Sequence, residues 1–169
     1  MHTGKALVAL ALALGSAAAH GQTFNFDSDT KGWKPYKNAA PHIALDTAVK
    51  HAGASAVRLD DASEWAYVGM SRTVVAKPNT KYRASAWVKT ARTNGATCLF
   101  ITEYPAKRGR FVKFHVLLIE QPRDWQRFEK VFTTTEETGR IQLELCPVGF
   151  GMMLTGTAWF DDVELKEAP

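Results

Sequence analysis

Apolar and polar residues alternate along much of this chain with a period of two, the period of a strand whose two faces meet different surroundings. Ile141-Gln142-Leu143-Glu144-Leu145-Cys146 is the clearest case, with isoleucine and leucines on one side and glutamine and glutamate on the other. Comparable runs predict strands over Thr23–Phe26, Ala56–Asp60, Ala66–Val75, Tyr82–Thr90, Thr97–Tyr104, Phe111–Ile119, Phe128–Thr134, Ile141–Cys146 and Ala158–Lys166. Turn-forming clusters separate them: Lys77-Pro78-Asn79, Thr93-Asn94-Gly95, Lys107-Arg108-Gly109, Gln121-Pro122-Arg123-Asp124 and Glu137-Thr138-Gly139. No stretch beyond the amino-terminal segment keeps a helical period, so the spacing predicts a sandwich or barrel rather than a parallel α/β fold. Val112–Ile119 begins by alternating and ends continuously apolar, which predicts a far end covered on both faces.

Residues 1–21 read as a secretory signal peptide: basic His2 and Lys5, an apolar run from Ala6 to Leu14, then Ser16-Ala17-Ala18-Ala19. The expectation is an exported protein, secreted or periplasmic, with one domain over residues 22–169. The apolar run is short of the ~20 residues that cross a membrane as a helix, and no later segment approaches that length. Lys and Arg number 21 against 17 Asp and Glu, a formal net charge of +4. So small and scattered an excess, in an exported chain, argues against nucleic acid as a partner. The basic residues gather only at Lys107, Arg108, Arg110 and Lys113, which reads either as a solvated loop and edge strand or as a contact for an acidic glycan or cell surface.

Phe26-Asp27, Gly32-Trp33 and His51-Ala52-Gly53 leading into Ala56-Val57-Arg58-Leu59 resemble the start of the jelly-roll carbohydrate-binding modules appended to bacterial cellulases and xylanases. Later signals agree in order: Pro78 with Tyr82–Lys89, Trp125 followed by Phe128 and Phe132-Thr133, and Trp159–Leu165 at the end. The resemblance implies an all-β, galactose-binding-like jelly-roll sandwich of two antiparallel sheets. One sheet would hold Ala56–Asp60, Ala158–Lys166, Tyr82–Thr90 and Phe128–Thr134. The other, concave, would hold Ala66–Val75, Ile141–Cys146, Thr97–Tyr104 and Phe111–Ile119. In that topology Cys98 begins one strand and Cys146 ends its antiparallel neighbour, so a cross-strand disulfide is expected, two free thiols being the alternative.

The same resemblance implies non-catalytic binding of a polysaccharide or oligosaccharide on the concave sheet. Sugar recognition there needs aromatic faces for the C–H side of a pyranose and planar polar groups for its hydroxyls. Trp65, Tyr67 and Tyr104 are the candidate platforms, and Thr102, His115, Gln142 and Glu144 the candidate polar contacts. Trp33, Trp87, Trp125 and Trp159 are expected in the core. The family also implies a structural calcium ion, here at Asp27, the loop from Val49 to Ser55, and Asp161 or Asp162, with Asp161 favoured as sharing the inward side of Val163 and Leu165. The alternative is that Asp161 is held by backbone or a cation side chain, without metal.

Other readings remain open. The alternative is an exported sandwich that serves protein interaction or structure, with a separate protein partner and no sugar. A jelly-roll glycosidase requires two carboxylates across the cleft, and only Glu144 is expected there, with Glu103 on the other face. A copper-dependent polysaccharide oxidase would use an amino-terminal His20 with His115 or His42, which cleavage before Gln22 would remove. The chain has no His-Glu-x-x-His, Gly-x-Ser-x-Gly, phosphate-binding glycine loop or Cys-x-x-Cys.

Overall fold

A computed structural model describes residues 21–61, 68–91, 97–119, 123–147 and 155–169. Trp65 and Tyr67 lie outside the described residues. Among the described residues the strands are β1 (Gln22–Phe24), β2 (Lys34–Pro35), β3 (Ile43–Asp46), β4 (Ala56–Asp61), β5 (Met70–Val75), β6 (Lys81–Ala91), β7 (Thr97–Pro105), β8 (Lys113–Ile119), β9 (Gln126–Thr133), β10 (Thr138–Cys146) and β11 (Gly156–Glu167), with a 3₁₀ turn at Ala40–His42. One sheet runs β3-β4-β11-β6-β9 with β1 also paired to β11, and the other runs β2-β5-β10-β7-β8. Every strand pairing is antiparallel. This is the expected two-sheet sandwich, in the expected strand order.

Alternation sorts each strand's residues between a shared core and the outside. From one sheet Ile141, Leu143, Leu145, Leu99 and Ile101 point inward, and from the other Val57, Leu59, Ala84, Ala86, Val88 and Phe160 meet them in one cluster. Removing that much apolar surface from water is the main force holding the sheets together. Ala84, Ala86 and Val88 of β6 are small beside the bulkier Leu, Ile and Phe around them, which lets the layers interdigitate.

The tryptophans divide differently from expectation. Trp33 is in the core, whereas Trp159, although buried, alternates with core Ala158 and Phe160 and so stands on the outer side of its sheet, where its Nε1 donates to Asp46 at 2.8 Å. Trp87 and Trp125 are only half-buried. Trp87 alternates with Ala86 and Val88 and therefore stands on the outer side of its sheet, where the His51 ring stacks on it with centroids 3.8 Å apart.

β11 is broken by a bulge. The register against β6 slips between Asp161 and Glu164, and Asp162 takes a φ of 44°. The extra residue moves the inward face from Ala158 and Phe160 to Val163 and Leu165. Asp161 opposite Trp87 consequently lies on the outer side of the sheet, not on the side of Val163 and Leu165. It is nevertheless buried, because the loop over residues 51–54 folds down on it.

Candidate functional site

The outer face of the β2-β5-β10-β7-β8 sheet is a grid whose rows follow from strand register. One row runs Thr73, Gln142, Thr102, Phe114. The next runs Ser71, Glu144, Phe100, Val116. Val75, Arg140 and Tyr104 form a third row at one end, and Cys146, Cys98 and Leu118 a fourth at the other. Of the residues anticipated here, Thr102, Tyr104, Gln142 and Glu144 do share this face.

His115 does not. Its partner on β7 is Ile101, a core residue, so it points between the sheets. There its Nε2 lies 2.7 Å from Oε1 of Glu103, which is fully buried. Glu103 also accepts bonds from the Thr135 N–H at 3.0 Å and from the Thr138 hydroxyl. Burial alone would raise the Glu103 pKa, but these donors and His115 outweigh it and hold the carboxyl below its ordinary value. The outward positions of β8 belong instead to Phe114, Val116 and Leu118, which the sequence reading had not used.

The face grades from apolar to polar. Phe114 is 46% exposed and stacks on Phe100, centroids 5.4 Å apart and planes 22° apart. Beside this pair, Thr102 and Gln142 are half-buried. The Arg140 guanidinium lies 5.7 Å from the Tyr104 ring centroid and its Nε donates to the Pro105 carbonyl at 3.0 Å. A further residue joins from β2's end. The Tyr36 N–H bonds to Gly69 O at 2.9 Å, and its ring lies so close to Gly69 that a β-carbon there would sit 2.9 Å from a ring carbon. Burial raises the Tyr36 pKa, and hydrogen bonding to Glu144 with that carboxylate's charge raises it further, so the phenol stays protonated against Glu144.

Glu144 is the one carboxylate that these rows contain among the described residues. Glu103, as anticipated, faces the other way. A glycosidase's pair of carboxylates is therefore not assembled from the described residues of this face.

Cys98 and Cys146 lie directly opposite one another, as the topology required. Both are buried, although on the side away from the core, and both side chains are thiols rather than a disulfide. The Cys146 thiol donates to the Val68 carbonyl at 3.6 Å. Burial, with the Glu144 charge adding, pushes the Cys98 thiol up to about 11.

Asp27 and Asp161 grip the same loop. Asp27 accepts from the Ala54 N–H and from Asn25 Nδ2 at 3.0 Å. Gly53, with a φ of 59°, lies against it, and a β-carbon there would fall 1.8 Å from Asp27 Oδ1. Asp161 accepts from the His51 N–H at 3.1 Å, the Ala52 N–H at 3.2 Å and the Asp162 N–H at 2.8 Å. Burial raises the Asp161 pKa above the ordinary carboxylate value, the amide donors offset part of this, and the neighbouring Asp162 charge works against them. Ligand atoms of His51, Asp161 and Asp162 lie within 4.8 Å of one another, a group that Asp27 does not join. The buried Asp161 carboxylate, with its pKa raised, suits a hard cation in its chemistry.

The carbohydrate-binding domain family, CBM_4_9, matches residues 18–147. No curated protein matches the chain. Among solved structures, the CBM22-1 xylan-binding domain of Paenibacillus barcinonensis Xyn10C superposes with a TM-score of 0.63 at 14% identity, covering 86% of this chain and 92% of that one. TmCBM61 in complex with β-1,4-galactotriose gives 0.57 at 16% identity, covering 85% and 94%. The C-terminal family 22 module of Clostridium thermocellum Xyn10B gives 0.59 at 11% identity, covering 87% and 93%. At these identities the likeness concerns the fold, and the two-sheet topology described above is the one they share. By the match over residues 18–147, this chain belongs to the carbohydrate-binding domain family.

Proposed function

We propose that the chain binds a polysaccharide, without cleaving it, along the outer face of the β5-β10-β7-β8 sheet. The observation that carries this reading is the row Thr73, Gln142, Thr102, Phe114, where an exposed aromatic ring adjoins planar and hydroxyl polar groups on one surface. A pyranose ring packs its C–H face on Phe114, backed by Phe100, and its hydroxyls bond to Gln142 and Thr102. Glu144, oriented by Tyr36, takes a hydroxyl of the next sugar. Tyr104 extends the platform at one end, and Trp65 and Tyr67, ahead of β5, supply further aromatic surface. Xylan and β-1,4-galactan are the first ligands to test, because similarly folded domains are described with them. Affinity electrophoresis in gels containing each polysaccharide tests the reading. Phe114→Ala and Gln142→Ala should lose retardation while keeping the far-UV spectrum of the parent. Retention that is unchanged in both would reject it.

Three further features complete the reading. Residues 1–21 direct export and are removed. In that oxidising setting Cys98 and Cys146 join as a disulfide across β7 and β10, which would stiffen the end of the binding face. Alkylation followed by mass spectrometry of the exported protein tests this, and two alkylated cysteines would refute it. Calcium binds where Asp27 and Asp161 hold the 49–55 loop, acting structurally. It should raise the melting temperature, and a chelator without effect would count against it.

A further inference from the structure

The charges on the other sheet are largely satisfied internally. Arg83 lies near Glu129, Arg127 near Glu129 and Glu164, Lys166 near Glu164, and Arg58 near Asp60. The β7–β8 hairpin is the opposite case. Lys107, Arg108, Arg110 and Lys113 are all exposed, and none lies within ion-pair distance of a carboxylate among the described residues. The neighbouring β9–β10 turn carries Glu136 and Glu137, which leave this end of the molecule net positive.

This basic group is held in place. Arg140 donates to the carbonyls of Pro105 at 3.0 Å and Lys107 at 3.3 Å, and the Val112 N–H returns to Glu103 O at 2.8 Å. Gly139 packs so tightly on the hairpin that a β-carbon would fall 2.5 Å from Ala106. The hairpin is continuous with the binding face, because Tyr104 and Arg140 form that face's last row and lead into it, whereas Lys113, opposite Glu103, stands on the other side of β8 from Phe114. Phe111, 62% exposed, adds an aromatic surface among the cations.

We propose that the hairpin carrying Lys107, Arg108 and Arg110, with Phe111, is an anion subsite at the end of the sugar-binding face, so that the ligand is a polysaccharide bearing carboxylate or sulfate groups. The proposal rests on the assignment of that face to carbohydrate. Ring packing on Phe111 and Phe114 positions the chain, and guanidinium groups, which pair with planar oxyanions in two-point fashion, select the charged sugar. Contacts between exposed charges are screened by salt, so affinity for the acidic chain falls as ionic strength rises.

Affinity electrophoresis and titration calorimetry with polygalacturonate, a sulfated galactan and neutral xylan and galactan test this at low and high salt. The two acidic polymers separate a carboxylate-selective from a sulfate-selective site, and tighter binding of either than of the neutral chains is expected. Arg108→Gln/Arg110→Gln should weaken acidic-polymer binding about five-fold or more at low salt, in line with the loss of two exposed charge contacts, and flatten its salt dependence. It should leave any binding of a neutral chain unchanged. Lys31→Gln/Arg123→Gln, which removes the same charge elsewhere, should have little effect. Equal losses in the two double variants would overturn the subsite and assign the effect to net charge. Neutral-chain binding that needs Phe114, with no preference for acidic polymers, would overturn the subsite and leave the face standing. Retention of no polymer at all would overturn both.

Discussion

Glu103 and His115 show what a single misplaced side chain does to a functional reading. Lys113 and His115 alternate with Phe114 and Val116, which fixes that the two pairs face opposite ways but not which pair meets the core. The partner strand decides this: Ile101 faces inward, so His115 does too. The result is a buried, bonded pair instead of a ligand contact. Glu103→Gln leaves His115 and the Thr138 hydroxyl with a weaker acceptor and should cost about 2 kcal/mol, the scale for hydrogen bonds to a charged group, measurable by urea unfolding. Because the folded pKa of Glu103 is depressed, its stabilisation is full above the unfolded glutamate value near ~4.3 and is lost as pH falls through the folded value. Melting temperatures between pH 7 and pH 3 should therefore drop more steeply for the wild type than for Glu103→Gln, and parallel curves would contradict the assignment. Gly53 offers an independent case. Its left-handed φ and its closeness to Asp27 predict that Gly53→Ala destabilises by about 1–3 kcal/mol through strain and displacement of that carboxylate.

Elements were legible where alternation was strong and turns were marked. β10, with Ile141, Leu143 and Leu145 in the core, is the strand that the sequence announces most clearly. β2 and β3 carry no sequence signal, because Lys34–Pro35 and Ile43–Asp46 are too short to show a period, and Tyr36, which bonds to Glu144, directly follows the first of them. The β11 bulge was equally hidden. Counting back from Val163 puts Asp161 on the core side, and only the extra residue at Asp162 reverses that. β8 tests the corrected register directly. Leu117 packs against the core whereas Leu118 is 63% exposed. Leu117→Ala should cost about 2 kcal/mol or more, and Leu118→Ala should fall within about 0.5 kcal/mol of the parent in the same denaturant titration. The reverse order would place the wrong face outward.

At the scale of the whole molecule, the sandwich, its two sheets and their strand order follow from turn spacing together with a few scattered family signals. The chemistry of the face needed the register, because Phe114 becomes a platform only once Thr102 is known to lie beside it. One sheet closes its outer surface with Trp87 under His51 and with paired charges, while the other leaves an aromatic and polar surface open. That asymmetry is why the binding function is assigned to one side. Nuclear magnetic resonance titration with xylohexaose and with β-1,4-galactotriose tests it most directly. Amide signals of Thr102, Phe114, Gln142 and Glu144 should shift with one saturating concentration dependence while those of Ser85, Glu129 and Val131 stay fixed. Shifts confined to the β6–β9 side, with the β10–β7–β8 side silent, would contradict the account.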